Sequence, residues 1–250
     1  QPVTIAEADG VLIYRRSLTF ILEAAFSEML PDASLCIEHS LSSGGYYCSV
    51  RGHETLTTDE LKRIEAEMRR LVELDLPFGG REATVEEAIE QFLAHGFDDK
   101  VQLMRRRSKT TVTLYQVGHH VDYHHGFMVP STGYLKWFEL SALNGGFALR
   151  FPRRNAPTTV APLVDNPKLV ASFRQYGDWL ERLGIQSVGA LDDAILAGRS
   201  REIILVSEAL HEQHIAAIAR QIAEQRDHAR LVLISGPSSS GKTTFSRRLA

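Results

Sequence analysis

The sequence has 250 residues, 44% hydrophobic and 24% charged, enough apolar material for one large or two modest folded domains. A formal charge of −3 argues against a general polyanion binder, because phosphate contacts need clustered Lys and Arg, and leaves room only for local basic patches. Two cysteines, Cys36 and Cys48, and no apolar run near the roughly 20 residues of a membrane span point to a reducing, cytoplasmic setting without membrane contact.

In chain order, an apolar stripe at Leu18, Ile21, Leu22, Ala25, Phe26 and Met29 predicts a helix that Pro31 and Asp32 stop. Ser42-Ser43-Gly44-Gly45 reads as the turn of a hairpin between Leu35-Cys36-Ile37 and Tyr46-Tyr47-Cys48. Thr57 with Glu60 makes a capping box before Leu61, Ile64, Met68, Leu71 and Val72, and Thr84 with Glu87 makes a second box before a helix ending at Gly96. Both helices are expected on a sheet built partly from 111–117 and 134–140. Asn155, Ala156-Pro157, Pro162 and Asn166-Pro167 then interrupt both periodicities and mark a linker. Helical pattern resumes, with Gly184, Gly189 and Gly198 dividing its first part and Ile203, Ile204, Val206, Leu210, Ile215, Ile218 and Ile222 supplying apolar positions. The fold class is therefore α+β over residues 1–155, a linker and helical segment over 156–228, and the start of a second, α/β domain over 229–250.

That last stretch carries the most specific motif. The continuous apolar run Leu231-Val232-Leu233-Ile234 suits a strand buried on both faces in a parallel sheet. It leads into Gly236-Pro237-Ser238-Ser239-Ser240-Gly241-Lys242-Thr243, the spacing of a phosphate-binding loop, followed by Thr244. In such a loop Gly236 and Gly241 allow the backbone turns, the N–H groups of 238–241 and 244 cradle phosphate, Lys242 reaches the β- and γ-phosphates, and Thr243 ligates Mg²⁺. The cofactors expected are ATP and Mg²⁺. Only seven residues follow Thr243, too few for the second metal carboxylate, base and acceptor contacts of phosphoryl transfer. The expectation is a piece of a longer kinase, itself inactive, with 231–250 disordered or abnormally packed.

Arg16-Ser17-Leu18, Glu38-His39-Ser40, Val129-Pro130-Ser131-Thr132-Gly133-Tyr134, Leu149-Arg150-Phe151-Pro152, Glu208-Ala209-Leu210-His211-Glu212 and Ile234–Phe245 together resemble uridine kinase-like nucleoside kinases whose kinase domain follows a threonyl-tRNA synthetase-like region. The resemblance implies phosphorylation of a nucleoside 5′-hydroxyl, with the acceptor pocket and catalytic residues downstream. Residues 11–152 separately resemble the second N-terminal domain of threonyl-tRNA synthetase, which hydrolyses mischarged aminoacyl-tRNA, and make an RNA-binding or relic editing module the alternative function. The editing pattern, a helical His-x-x-x-His and a later Cys-x-x-x-His running into Val-Pro, is replaced here by Arg16, Phe20, His124 and Met128, so the editing reaction is expected to be absent.

In His119-His120-Val121-Asp122-Tyr123-His124-His125, a strand would put His120, Asp122 and His124 on one face. Either a metal or phosphate pocket or hydrogen-bonded histidines on a cleft wall gives this sequence. The second is commoner and no Cys or His motif has the spacing of a known site, so zinc is not expected. His211 and His214 around Glu212 lack zincin spacing and read as surface residues. Arg105-Arg106-Arg107-Ser108-Lys109 reads as a solvated turn or an RNA contact. Tyr46 and Tyr47 suit a cleft or a hairpin core. Nucleic acid is an admissible but not favoured partner, a homo-oligomer is admissible, and what the first domain senses is open.

Overall fold

Leu18, Ile21, Leu22, Ala25 and Phe26 are all buried along one face of α1 (Ala8–Met29), the longest apolar stripe of the first folded unit. The computed structural model describes residues 3–164 and 166–250, which form two compact units, Gln1–Ser172 and Phe173–Ala250. The first is α+β. Its hairpin strands β1 (Ser34–Ser40) and β2 (Tyr46–Arg51) pair antiparallel, and β2 continues into β7 (Gly146–Arg150) and β6 (Glu139–Leu143), giving the order β1-β2-β7-β6. A second antiparallel sheet has the order β3-β4-β5, from Gly79–Thr84, Thr111–Val117 and His120–Tyr123.

Each sheet has its own core. α1 and α2 (Thr58–Glu73) pack Leu18, Ile21, Phe26, Ile64 and Met68 with Phe147 and Leu149 of the larger sheet. α3 (Val85–Ala94) and α4 (Asp98–Arg105) pack Ala88, Phe92, Val101 and Met104 with Val112 and Leu114 of the smaller one. Helix starts follow local chemistry. The Thr57–Glu60 box forms in full, Thr57 Oγ1 accepting from Glu60 N at 3.2 Å and Glu60 Oε2 from Thr57 N at 2.8 Å. Thr84 accepts from Glu87 N at 3.1 Å, but the Glu87 carboxylate turns to Arg81 at 2.7 Å, so this box is half made.

The expectation of a sheet strand over 134–140 is corrected. Thr132–Tyr134 is a 3₁₀ turn, Leu135 and Phe138 are buried in the core, and strand begins only at Glu139, in the sheet that lacks β4. The Tyr14 hydroxyl donates to the Trp137 carbonyl at 2.8 Å and accepts from the Trp137 N–H at 2.9 Å, which satisfies that backbone without a strand partner.

The second unit is helical. α5 (Pro167–Leu183) leads into it, and α6 (Val188–Leu196) and α7 (Ser200–Glu224) close a small core of Ile185, Ala194 and Ile203. Gly184 and Gly198, at positive φ, divide these helices, whereas Gly189 is buried inside α6 and divides nothing. α8 (Lys242–Leu249) follows the glycine-rich loop. The strand expected over 231–234 is not formed: Leu231 is 75% and Leu233 83% exposed, and these residues join no sheet among the described residues. A parallel strand is held by neighbours on its edges, and this unit supplies helices only.

Candidate functional site

α1 and β5 build a polar cluster in the first unit. Arg16, Phe20 and Glu23 recur at i, i+4 and i+7, so one helical face carries all three. On β5, His120 and Asp122 share the alternate face, and His124 follows directly. The two sets meet. The buried Phe20 ring lies edge-on to His120 at 5.0 Å between centroids and against His124 at 5.6 Å. Ligand atoms of Glu23, Asp122 and His124 all lie within 4.8 Å of one another. From α4, Lys100 reaches Asp122, which is 2% exposed, and rests its ammonium 4.4 Å from the Phe97 ring centroid. The structure thus brings together His120, Asp122 and His124, and adds Glu23 and Lys100.

The electrostatics follow from burial. It pushes the His120 and His124 imidazoles down to about 4, against the pull of Asp122, so both are neutral at pH 7. Burial also drives the Glu23 carboxyl well above the usual carboxylate range, with Lys100 only partly opposing it. For Asp122 burial pulls upward, but the Lys100 charge and hydrogen bonds from Glu23 and Lys100 hold it below its ordinary value. The two carboxyls are thus pushed in opposite directions, Asp122 toward the ionised form beside the Lys100 ammonium and Glu23 toward the protonated one. Glu23 Oε2 and the Nε2 atoms of His120 and His124 are inaccessible and lack a hydrogen-bond partner.

A neighbouring loop fixes the site's rim. Within Val129-Pro130-Ser131-Thr132-Gly133-Tyr134, Val129 N donates to Ser17 Oγ at 2.9 Å, Pro130 O accepts from Phe78 N at 3.1 Å, and Thr132 Oγ1 bridges Leu71 O and Leu76 N. Asp75 Oδ1 accepts from Ser131 Oγ and from Gly133 N, the latter at 3.0 Å. A Cβ on Gly133 would fall 2.3 Å from that oxygen, so glycine is required here. Just before the loop, Arg16 Nη1 donates to Phe127 O at 2.6 Å, and the Phe127 ring stands 79% exposed. Ser17 Oγ also lies 3.5 Å from Met128 Sδ. Arg16, Phe20, His124 and Met128 therefore gather at one place, although only one of them is a histidine.

The other sequence candidates fall on other elements. Gly236, Ser238, Ser239, Ser240, Gly241, Thr243 and Thr244 are exposed and Lys242 is half-buried in the second unit. Lys242 Nζ donates to Pro237 O at 2.5 Å, closing on its own loop, and Gly241 at φ +77° starts α8. Tyr47 is 1% exposed and belongs to the core, Cys48 is buried and Cys36 half-buried, both as free thiols. His211 and His214 are exposed on α7, and Glu212 pairs with Arg248. Sequence reasoning missed Glu23 and Lys100. Glu23 had a signal, a carboxylate flanked by buried Leu22, Ala24 and Ala25 one turn beyond Phe20. Lys100 had none beyond its place beside Val101 in an amphipathic helix.

No family model matches the chain. Relatives are nonetheless clear: the chain is 32% identical over 146 residues to threonine–tRNA ligase of Lawsonia intracellularis, covering 58% of this chain and 23% of that protein. Threonine–tRNA ligase 1 of Bacillus subtilis is also 32% identical over 146 residues, with the same coverage. That of Carboxydothermus hydrogenoformans is 27% identical over 201 residues, covering 74% of this chain and 31% of the relative. Over 146 residues the chain is thus similar to part of threonine–tRNA ligases, and its α+β unit with two small antiparallel sheets is compatible with the synthetase-like domain expected from the sequence. The match with the first two relatives spans about a quarter of their length. These findings correct the expectation of a nucleoside kinase or other phosphotransferase: the relatives are named ligases of tRNA, and neither they nor the sheets support a kinase domain. No helix among the described residues is long and apolar enough to cross a membrane.

Proposed function

We propose that the first unit is a tRNA-recognition module that receives the 3′ end of tRNA over the α1–β5 cluster. The observation that carries this reading is the 32% identity to threonine–tRNA ligase over 146 residues. Local chemistry supports it. Phe127 offers an exposed ring beside the cluster, and base–aromatic stacking contributes about 1–3 kcal/mol per base. The Arg16 guanidinium beside it and the exposed Arg105 and Lys109 offer partners for phosphate.

Binding rather than hydrolysis is the proposed activity. Arg16, Phe20, His124 and Met128 stand where the editing pattern has three histidines and a cysteine, and three of these replacements, Arg16, Phe20 and Met128, cannot take a proton from water. Phe127 and Arg16, which solvent reaches, are the proposed contacts to the terminal nucleotide, whereas Asp122 and the inaccessible Nε2 atoms of His120 and His124 are not. Filter binding of tRNA to the full chain tests this. Saturable binding that weakens with added salt is expected, and the absence of binding at low salt overturns it.

A further inference from the structure

We propose that Glu23, Asp122 and His124 form a binding site for one divalent transition-metal ion of the zinc or manganese class. The three ligand atoms already lie within 4.8 Å of one another. Metal–ligand bonds of about 2.0–2.2 Å place ligands roughly 3–4 Å apart, so small side-chain rotations close the set. Glu23 Oε2 and His124 Nε2 are inaccessible and have no hydrogen-bond partner, although the Glu23 carboxyl also hydrogen-bonds Asp122 through a proton that the ion has to displace. Buried polar atoms without partners are uncommon, and a cation satisfies both.

The ligands come from two packed elements. Glu23 projects from α1, whose flanking residues Leu22 and Ala24 are buried, and Asp122 and His124 come from β5 and the residue that follows it. Preorganisation of this kind lowers the cost of assembling a metal site. Two carboxylate oxygens and one imidazole nitrogen suit a borderline ion. His120, with an equally unpartnered Nε2 on the same strand face, is the nearest candidate for a fourth ligand. The histidine run lacks metal spacing by itself because the acidic ligand is supplied by α1. Lys100 is the competitor: it neutralises Asp122, so ion and ammonium oppose each other there.

The inference stands apart from tRNA recognition, because metal binding is measured without RNA and RNA binding in chelator. Zn²⁺, Mn²⁺ and Co²⁺ are titrated by calorimetry into the tag-free full chain. The expected result is one site per chain, weakened about tenfold or more in Glu23→Gln and His124→Ala, tightened in Lys100→Met and unchanged in His211→Ala on exposed α7. Saturable binding by none of the three ions, or equal affinity in Glu23→Gln and His124→Ala, overturns the proposal. Should a variant fail to fold, the visible spectrum of Co²⁺ in the unmodified chain decides: ligand-field bands of a nitrogen- and carboxylate-bound ion support the site, and an aqua-ion spectrum overturns it.

Discussion

The Lys100 ammonium is seated on the Asp122 carboxylate, with the Phe97 ring 4.4 Å beneath it, and this ion pair joins α4 to β5 under the candidate site. Breaking a buried pair from one side leaves an uncompensated charge, at a cost of about 3–5 kcal/mol. Lys100→Met is therefore expected to destabilise strongly in urea unfolding. Lys100→Met with Asp122→Asn should recover most of that loss, and a double variant no better than the single one would show that the pair is not coupled.

The same cluster sets a pH dependence. His120 and His124 titrate at about 4 in the folded chain against 6.5 ordinarily, so the unfolded chain binds more protons in between. Their contribution is fully present above about 6.5 and is lost as pH falls toward 4, by at most about 1.4 kcal/mol per histidine per pH unit. Glu23 has the opposite sign. Its raised value makes the folded chain bind the extra proton, so its contribution falls as pH rises above 4.5. Thermal melts should show Glu23→Gln gaining on the parent as pH rises above 4.5, and parallel pH profiles would contradict this assignment.

Gly133→Ala should destabilise by about 1–3 kcal/mol. The new methyl would meet Asp75 Oδ1, which is held by Ser131 and Gly133, and Asp75 itself sits at φ +48° with little freedom to withdraw. Denaturant midpoints for Gly133→Ala and Asp75→Ala test the contact. Their combination should cost less than the sum of the two.

Phe127→Ala removes an exposed ring, so its melting temperature should match the parent's. Its affinity for tRNA should fall by about 1–3 kcal/mol, the contribution of one stacked base. An unchanged affinity removes Phe127 from the interface.

Much of the fold was legible because the signals were local. Thr57 and Glu60 announce α2 through groups three residues apart, and the turn at 42–45 announces the β1–β2 hairpin. The 134–140 stretch misled because its apolar residues serve a long-range purpose: Leu135 and Phe138 fill the α1–α2 core and Trp137 is tied to Tyr14, 123 residues away. Leu231–Ile234 has a strand's composition, but composition cannot supply a neighbour. His120, Asp122 and His124 could be placed together by strand period alone. Glu23 and Lys100 could not, since both reach the site from other elements through tertiary packing.

The most direct test compares the full chain's affinity for intact tRNA with its affinity for the same tRNA trimmed of its 3′-terminal nucleotides, at one low salt concentration and in chelator. Recognition of the 3′ end at the α1–β5 cluster predicts salt-sensitive binding of intact tRNA that drops by about tenfold on trimming and drops equally in Phe127→Ala. Equal affinity for both RNAs, or no binding to either, would contradict it.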